Sequence, residues 1–200
     1  MRGTRTGNRT INRTSGSGNP LGAANGAAST SRSTSARLAA ARLAGTGISL
    51  VVVPHQYGFT QTQRFPPELV TELGQQGHRV HFGTMLFHTD NFYGSGTGEA
   101  MAIILRTICQ GMKVCVEIVL MAADGGLVAR GEEIIAVSGT HRGADTAVVA
   151  LASTSTALHE LHVTEILCKP LLTKSWRRGA LPPQYRRGRR EDNVEDGGDQ

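Results

Sequence analysis

Residues 111–146, GMKVCVEIVLMAADGGLVARGEEIIAVSGTHRGADT, decide how the chain reads. The first part is apolar apart from Lys113 and Glu117 and carries no helix breaker, so it reads as a helix that stops at Gly125-Gly126. Ile134-Ile135-Ala136-Val137 is then a short continuous apolar run, the pattern of a buried strand. A glycine-flanked turn follows, Ser138-Gly139-Thr140-His141-Arg142-Gly143. It sets backbone N–H groups, hydroxyl and imidazole donors and one guanidinium at the carboxyl end of a strand. Ligands of open α/β sheets collect beyond strand carboxyl ends, and tight glycine turns form concave anion sites. A turn whose polar residues only satisfy their own backbone is the alternative.

Outward from this stretch, strands and helices alternate. Ser33 to Ala44 is Ala- and Leu-rich and reads as a helix stopped by Gly45 and Gly47. Ile48 to Val53 reads as a strand covered on both faces. Pro66-Pro67 opens a short helix to Gln76, and Val80 to Thr84 is the next strand. A polar loop over 85–97 leads to a long apolar helical region, 99–124, expected to break near Gly111. The 133–138 strand should pair with Asp145 to Leu151, and a last strand runs near Val163 to Cys168. The pattern predicts an α/β fold with a central, mostly parallel sheet.

Charge divides the chain. Residues 1–67 hold eight Arg and no acid, whereas 68–170 hold eleven acidic against six basic residues, a net of −5. The overall +5 therefore belongs to the ends, which argues against a nucleic-acid-binding face on the folded body. Residues 1–27 hold almost no large apolar side chains and are expected to be disordered or atypical. Being acid-free and rich in Arg and Ser, they also match an organelle transit peptide. Residues 171–200 separate basic from acidic blocks and read as a disordered charged tail. Cys109, Cys115 and Cys168 match no metal spacing and read as free thiols buried among apolar neighbours, in keeping with a reducing, cytoplasmic setting. The run from Met101 to Ala123 is interrupted by Arg106, Lys113 and Glu117, so no membrane span is expected.

The motifs themselves resemble a known family. Gly111 to Leu127, Gly131 to Val149 and Glu165-Ile166-Leu167-Cys168-Lys169-Pro170 are similar, in order and spacing, to stand-alone archaeal and bacterial proteins built on the pyruvate kinase C-terminal (α/β) domain without the catalytic barrel. Val51-Val52-Val53 with His55-Gln56-Tyr57-Gly58-Phe59 is similar to that family's VVVxHxxGF strand and loop. The resemblance covers residues 28–170 and implies a three-layer helix–sheet–helix domain. Its opening differs: only Ala28-Ser29-Thr30-Ser31 matches the family's first strand-to-helix turn, with Arg32 in place of a glycine, so the first strand and helix read as incomplete.

The resemblance also implies an anion site. Ser29, Thr30 and Ser31 fall where the pyruvate kinase domain holds an effector phosphate, and a helix N-terminus there would favour an anion, although simple helix capping would use the same residues. His55 follows a strand directly and could act as an acid–base group, a ligand donor or a loop anchor. Lys113, one helical turn from Glu117, reads either as half of a structural ion pair or as a ligand's phosphate partner. Gly139, Thr140, Arg142 and Gly143 make the strongest group, Arg142 supplying a forked donor pair and Asp145 orienting it. His88 and His141 draw no support from spacing or from the family pattern.

No P-loop, GxGxxG fingerprint, nucleophile elbow or paired-carboxylate metal site occurs. The resemblance implies binding of a small phosphorylated ligand, with flavin mononucleotide (FMN) as the candidate cofactor, and no pyruvate kinase catalysis, since the catalytic barrel has no counterpart here. Two alternatives stay open: an enzyme of unassigned reaction that uses His55 with a bound phosphate-bearing cofactor, and a degenerate accessory domain. Association into a homo-oligomer is also left open.

Overall fold

The computed structural model describes residues 25–28, 33–89, 96–140 and 143–171, of which 25–28 are described as backbone only. Six strands form one sheet: β1 (Asn25–Ala28), β2 (Leu50–Val52), β3 (Arg79–Val80), β4 (Glu133–Ser138), β5 (Thr146–Leu151) and β6 (His162–Cys168). Four helices are described among them: α1 (Ser33–Leu43), α2 (Pro67–Gln75), α3 (Thr97–Arg106) and α4 (Gln110–Asp124). The class is mixed helix and sheet, in the strand order β3-β2-β1-β4-β5-β6. Neighbours are parallel from β3 to β4 and antiparallel from β4 to β6. The parallel strands are short, and the two antiparallel pairs carry the longest ladders.

The opening strand departs from the sequence reading. Asn25–Ala28 pairs with β2 on one side and β4 on the other, where residues 1–27 read as disordered or atypical and the first strand read as incomplete. Its residues, Asn-Gly-Ala-Ala, have little strand propensity. Two flanking ladders hold it extended instead, which is how tertiary context overrides propensity. The remaining residues before 25 and those after 171 lie outside the described part of the chain.

Alternation along β2 sends side chains to opposite faces. Val51 and Val53 join α4, Ile134, Ala136 and Val148 in the larger apolar cluster. Leu50 and Val52 join Ala36 and Ala40 of α1 and Leu69 and Leu73 of α2 in the smaller one. The helical region breaks at 107–109, just before the expected position, because Cys109 caps α4: its Sγ accepts from the Met112 N–H at 3.2 Å. Gly111 is needed for another reason. A Cβ there would lie 2.0 Å from Thr146 Oγ1, so only glycine lets α4 rest this closely on β5.

Two further expectations change. The strand foreseen over 80–84 is limited to Arg79–Val80, and the Phe82 ring packs against Tyr57, tilted, and Phe65, edge-on. Cys109 and Cys115 are buried, but Cys168 is exposed, because β6 is an edge strand with almost no cover. Burial pushes the Cys115 thiol up to about 12, so it stays protonated beside Ser138.

Candidate functional site

The carboxyl ends of the four parallel strands converge on a cleft of about 780 Å³. Beyond β1 the chain enters α1, whose Ser33 and Thr34 face the cleft. Beyond β2 come Val53, Pro54, His55, Phe59 and Arg64; beyond β3 come Met85 and His88; beyond β4 come Gly139, Thr140 and Gly143. Helix α4 closes the floor with one stripe of its surface, Gln110, Lys113, Val114, Glu117, Ile118 and Met121, at the three- and four-residue spacing of a helix face. Its opposite stripe, with Gly111 and Cys115, packs on the sheet. A position outside strand carboxyl ends is where open α/β sheets accept ligands.

Among the residues singled out from sequence, His55, Lys113, Gly139, Thr140 and Gly143 all line this cleft. Ser29, Thr30, Ser31 and Arg142 lie outside the described residues, as does His141. The cleft also contains His88, Phe59, Arg64, Ser33 and Thr34, which sequence reasoning did not assign to a site. Only a weak signal pointed to them. Phe59 sat inside the quoted HQYGF run, and Ser33 and Thr34 stood at a helix start, whereas His88 and Arg64 come from loops that no periodicity links.

Lys113 and Glu117 form the buried centre. Their side chains are 1% and 3% exposed, and Lys113 Nζ lies 2.5 Å from Glu117 Oε2. The second carboxylate oxygen accepts the Phe87 N–H at 3.1 Å and lies 3.4 Å from His88 Nδ1. Lys113 Nζ is also 3.5 Å from that same imidazole nitrogen and 5.4 Å from the Phe87 ring centre. One nitrogen cannot both accept from the ammonium and donate to the carboxylate, so the His88 tautomer is tied to the protonation of the pair. Burial pulls Lys113 below the ordinary lysine range while Glu117 opposes it. Burial also holds the His88 and His55 imidazoles down, with Lys113 adding to the effect and Glu117 working against it.

The loop carrying His55 is anchored at several points. Gln63 Nε2 donates to the His55 carbonyl at 2.9 Å, and Gln56 Oε1 accepts the Met85 N–H at 2.7 Å. Gly58 takes φ +80°, which lets the chain reverse and bring Phe59 back towards the cleft.

In the turn after β4, the described residues show one carboxylate taking up two neighbouring donors. Asp145 accepts from the Thr140 N–H at 3.0 Å and from the Thr146 hydroxyl at 2.8 Å. That carboxylate therefore organises its own turn, and the Thr140 amide is already taken. Gly139 is required because a Cβ would meet the Gly143 carbonyl oxygen at 2.0 Å. The Thr140 N–H is thus taken within the turn, while His141 and Arg142 lie outside the described residues.

No protein-family model matches the chain. Among the described residues no cluster of three or more His, Cys, Asp or Glu could hold a metal ion, and no helix is long and apolar enough to cross a membrane.

Proposed function

We propose that the chain is a ligand-binding domain of the pyruvate kinase C-terminal type, three-layered and lacking pyruvate kinase catalysis, that holds a small phosphorylated molecule in this cleft. FMN is the candidate cofactor. The observation that supports this best is the make-up of the cleft wall. Arg64, His55 and His88 line it beside the buried Lys113–Glu117 pair, and Glu117 is the only acidic residue among the described lining. Glu117 is already engaged by Lys113 and the Phe87 N–H, so a bound anion meets donors and no free carboxylate. The cleft volume falls within the roughly 300–1,000 Å³ of small-molecule sites. Under this reading the folded body does not bind nucleic acid, and the protein works in the cytoplasm.

A second reading, an enzyme of unassigned reaction, draws on the His88–Lys113–Glu117 contacts. Titratable groups this close together in a cleft are suited to passing a proton.

The first test is a thermal-shift screen of the full chain with FMN, nucleotides, sugar phosphates and inorganic phosphate. A phosphorylated ligand should raise the melting temperature in a saturable way. Arg142→Ala, in the turn chosen from sequence, should weaken that ligand by about tenfold to a hundredfold. Its melt without ligand should change by only about 0.5 kcal/mol. A screen in which no phosphorylated compound shifts the melt sinks the proposal.

A further inference from the structure

We infer that the ligand carries a flat aromatic ring as well as its phosphate, and that Phe59 is the surface on which the ring is seated. This rests on the phosphorylated-ligand reading and narrows it to one class, a heteroaromatic ring joined to a phosphate, as in mononucleotides and flavins.

Phe59 is an apolar ring held in a mostly polar cleft and left 41% exposed. Its placement is built in. The Phe59 N–H donates to the Gln56 carbonyl at 3.4 Å, Gln56 is itself bound to the Met85 N–H, and Gly58 supplies the reversal. The neighbouring rings form a wall with it. His55 lies 4.6 Å away between ring centres, tilted by 56°, and His88 lies 5.5 Å away, edge-on at 81°. Two imidazoles held towards their neutral form suit a ring ligand, since each offers a π surface together with one donor and one acceptor nitrogen. The largely buried Met85, Met121 and Ile118 add apolar atoms to the lining of the same cleft. Inorganic phosphate or a sugar phosphate would leave Phe59 in water, whereas a planar ring would cover it in the offset or edge geometry that aromatic pairs prefer.

The test compares FMN or adenosine monophosphate, whichever the screen returns, with ribose 5-phosphate and inorganic phosphate. Each is titrated calorimetrically into the full chain and into Phe59→Ala, Phe59→Leu and Phe59→Tyr. The ring-bearing ligand should bind the unaltered chain on the order of tenfold to a hundredfold more tightly than ribose 5-phosphate. Phe59→Ala and Phe59→Leu should erase most of that advantage while leaving the two ringless ligands unchanged, and Phe59→Tyr should keep it. Phe59→Leu retains apolar bulk, so its loss isolates the ring. Equal affinity for ringed and ringless phosphates overturns the inference but leaves phosphate binding standing. So does an equal loss of all ligands in Phe59→Leu, which would make Phe59 a structural residue. Failure of every phosphate probe on the unaltered chain removes both.

Discussion

The two halves of the sheet do different work. On the antiparallel side, β4, β5 and β6 are 6, 6 and 7 residues long and pair along almost their full length. On the parallel side, β1, β2 and β3 have only 4, 3 and 2 residues, and the chain leaves each one early. The long half carries α4, pinned at Gly111 against Thr146 and at Cys115 against Ser138. The short half gives up ladder hydrogen bonds, and its carboxyl-terminal loops converge on the cleft. The longer ladders thus lie in one half and most of the cleft loops in the other, although the β4–β5 turn also reaches the cleft through Gly139, Thr140 and Gly143. Helix α4 joins the halves, one stripe on the sheet and the other forming the cleft floor.

The largest effect should come where α4 spans both halves. Glu117→Gln leaves the Lys113 ammonium buried without its counter-ion and should cost about 3–5 kcal/mol. Lys113→Met should cost a similar amount by stranding the carboxylate. The double variant Lys113→Met/Glu117→Leu should recover most of the loss, retaining about 1–3 kcal/mol because the Phe87 N–H loses its acceptor. Chemical denaturation of all three checks this. A double variant as unstable as the singles would show that the pair is more than two compensating charges.

A smaller loss tests the long half alone. Gly111→Ala places a methyl against the Thr146 side chain and should destabilise by about 1–3 kcal/mol, with Thr146→Ser giving little relief because Thr146 Cβ is itself only 2.4 Å from the added carbon. Full relief by Thr146→Ser would mean that α4 is less firmly seated on β5 than the geometry requires.

Smaller again is the pH response of the short half. Burial lowers the His55 and His88 pKa values, so the unfolded chain takes up these protons before the folded one does. Their contribution is fully present above about pH 6.5 and is lost as pH falls through the lowered folded values. Melting temperature without ligand should therefore decline from pH 7 to pH 5. His55→Gln/His88→Gln should flatten part of that decline, and an unchanged profile would contradict it. Bound phosphate should oppose the decline, because its charge favours both imidazolium forms.

The same division explains what could be read from sequence. The α4–β4–β5 stretch was legible because its apolar runs are long and its stops are glycines with specific duties. β6 was legible as a strand, but the exposure of Cys168 was not, since edge position is a property of topology. β1 was missed because Asn25-Gly26-Ala27-Ala28 is extended by its neighbours and not by its own side chains. In the cleft, His55 and Lys113 could be named because one follows a strand and the other interrupts an apolar helix. His88, Arg64 and the exposed ring of Phe59 could not be joined to them, since only the meeting of separate loops brings them together. Asp145 accepts from Thr140 and Thr146, contacts that spacing alone did not give, and Arg142, which it was expected to orient, lies outside the described residues.

If a phosphorylated ligand occupies the cleft beside His55 and His88, as proposed, imidazole nitrogen NMR will register it at both rings. Signals of the two rings, assigned through His55→Gln and His88→Gln, are followed while the ligand returned by the screen is titrated into the full chain. A ligand in the cleft should shift both rings together, in step with the calorimetric binding curve, and both pKa values should rise in the complex. Saturable binding that leaves both imidazoles unmoved would place the ligand elsewhere and overturn the proposal.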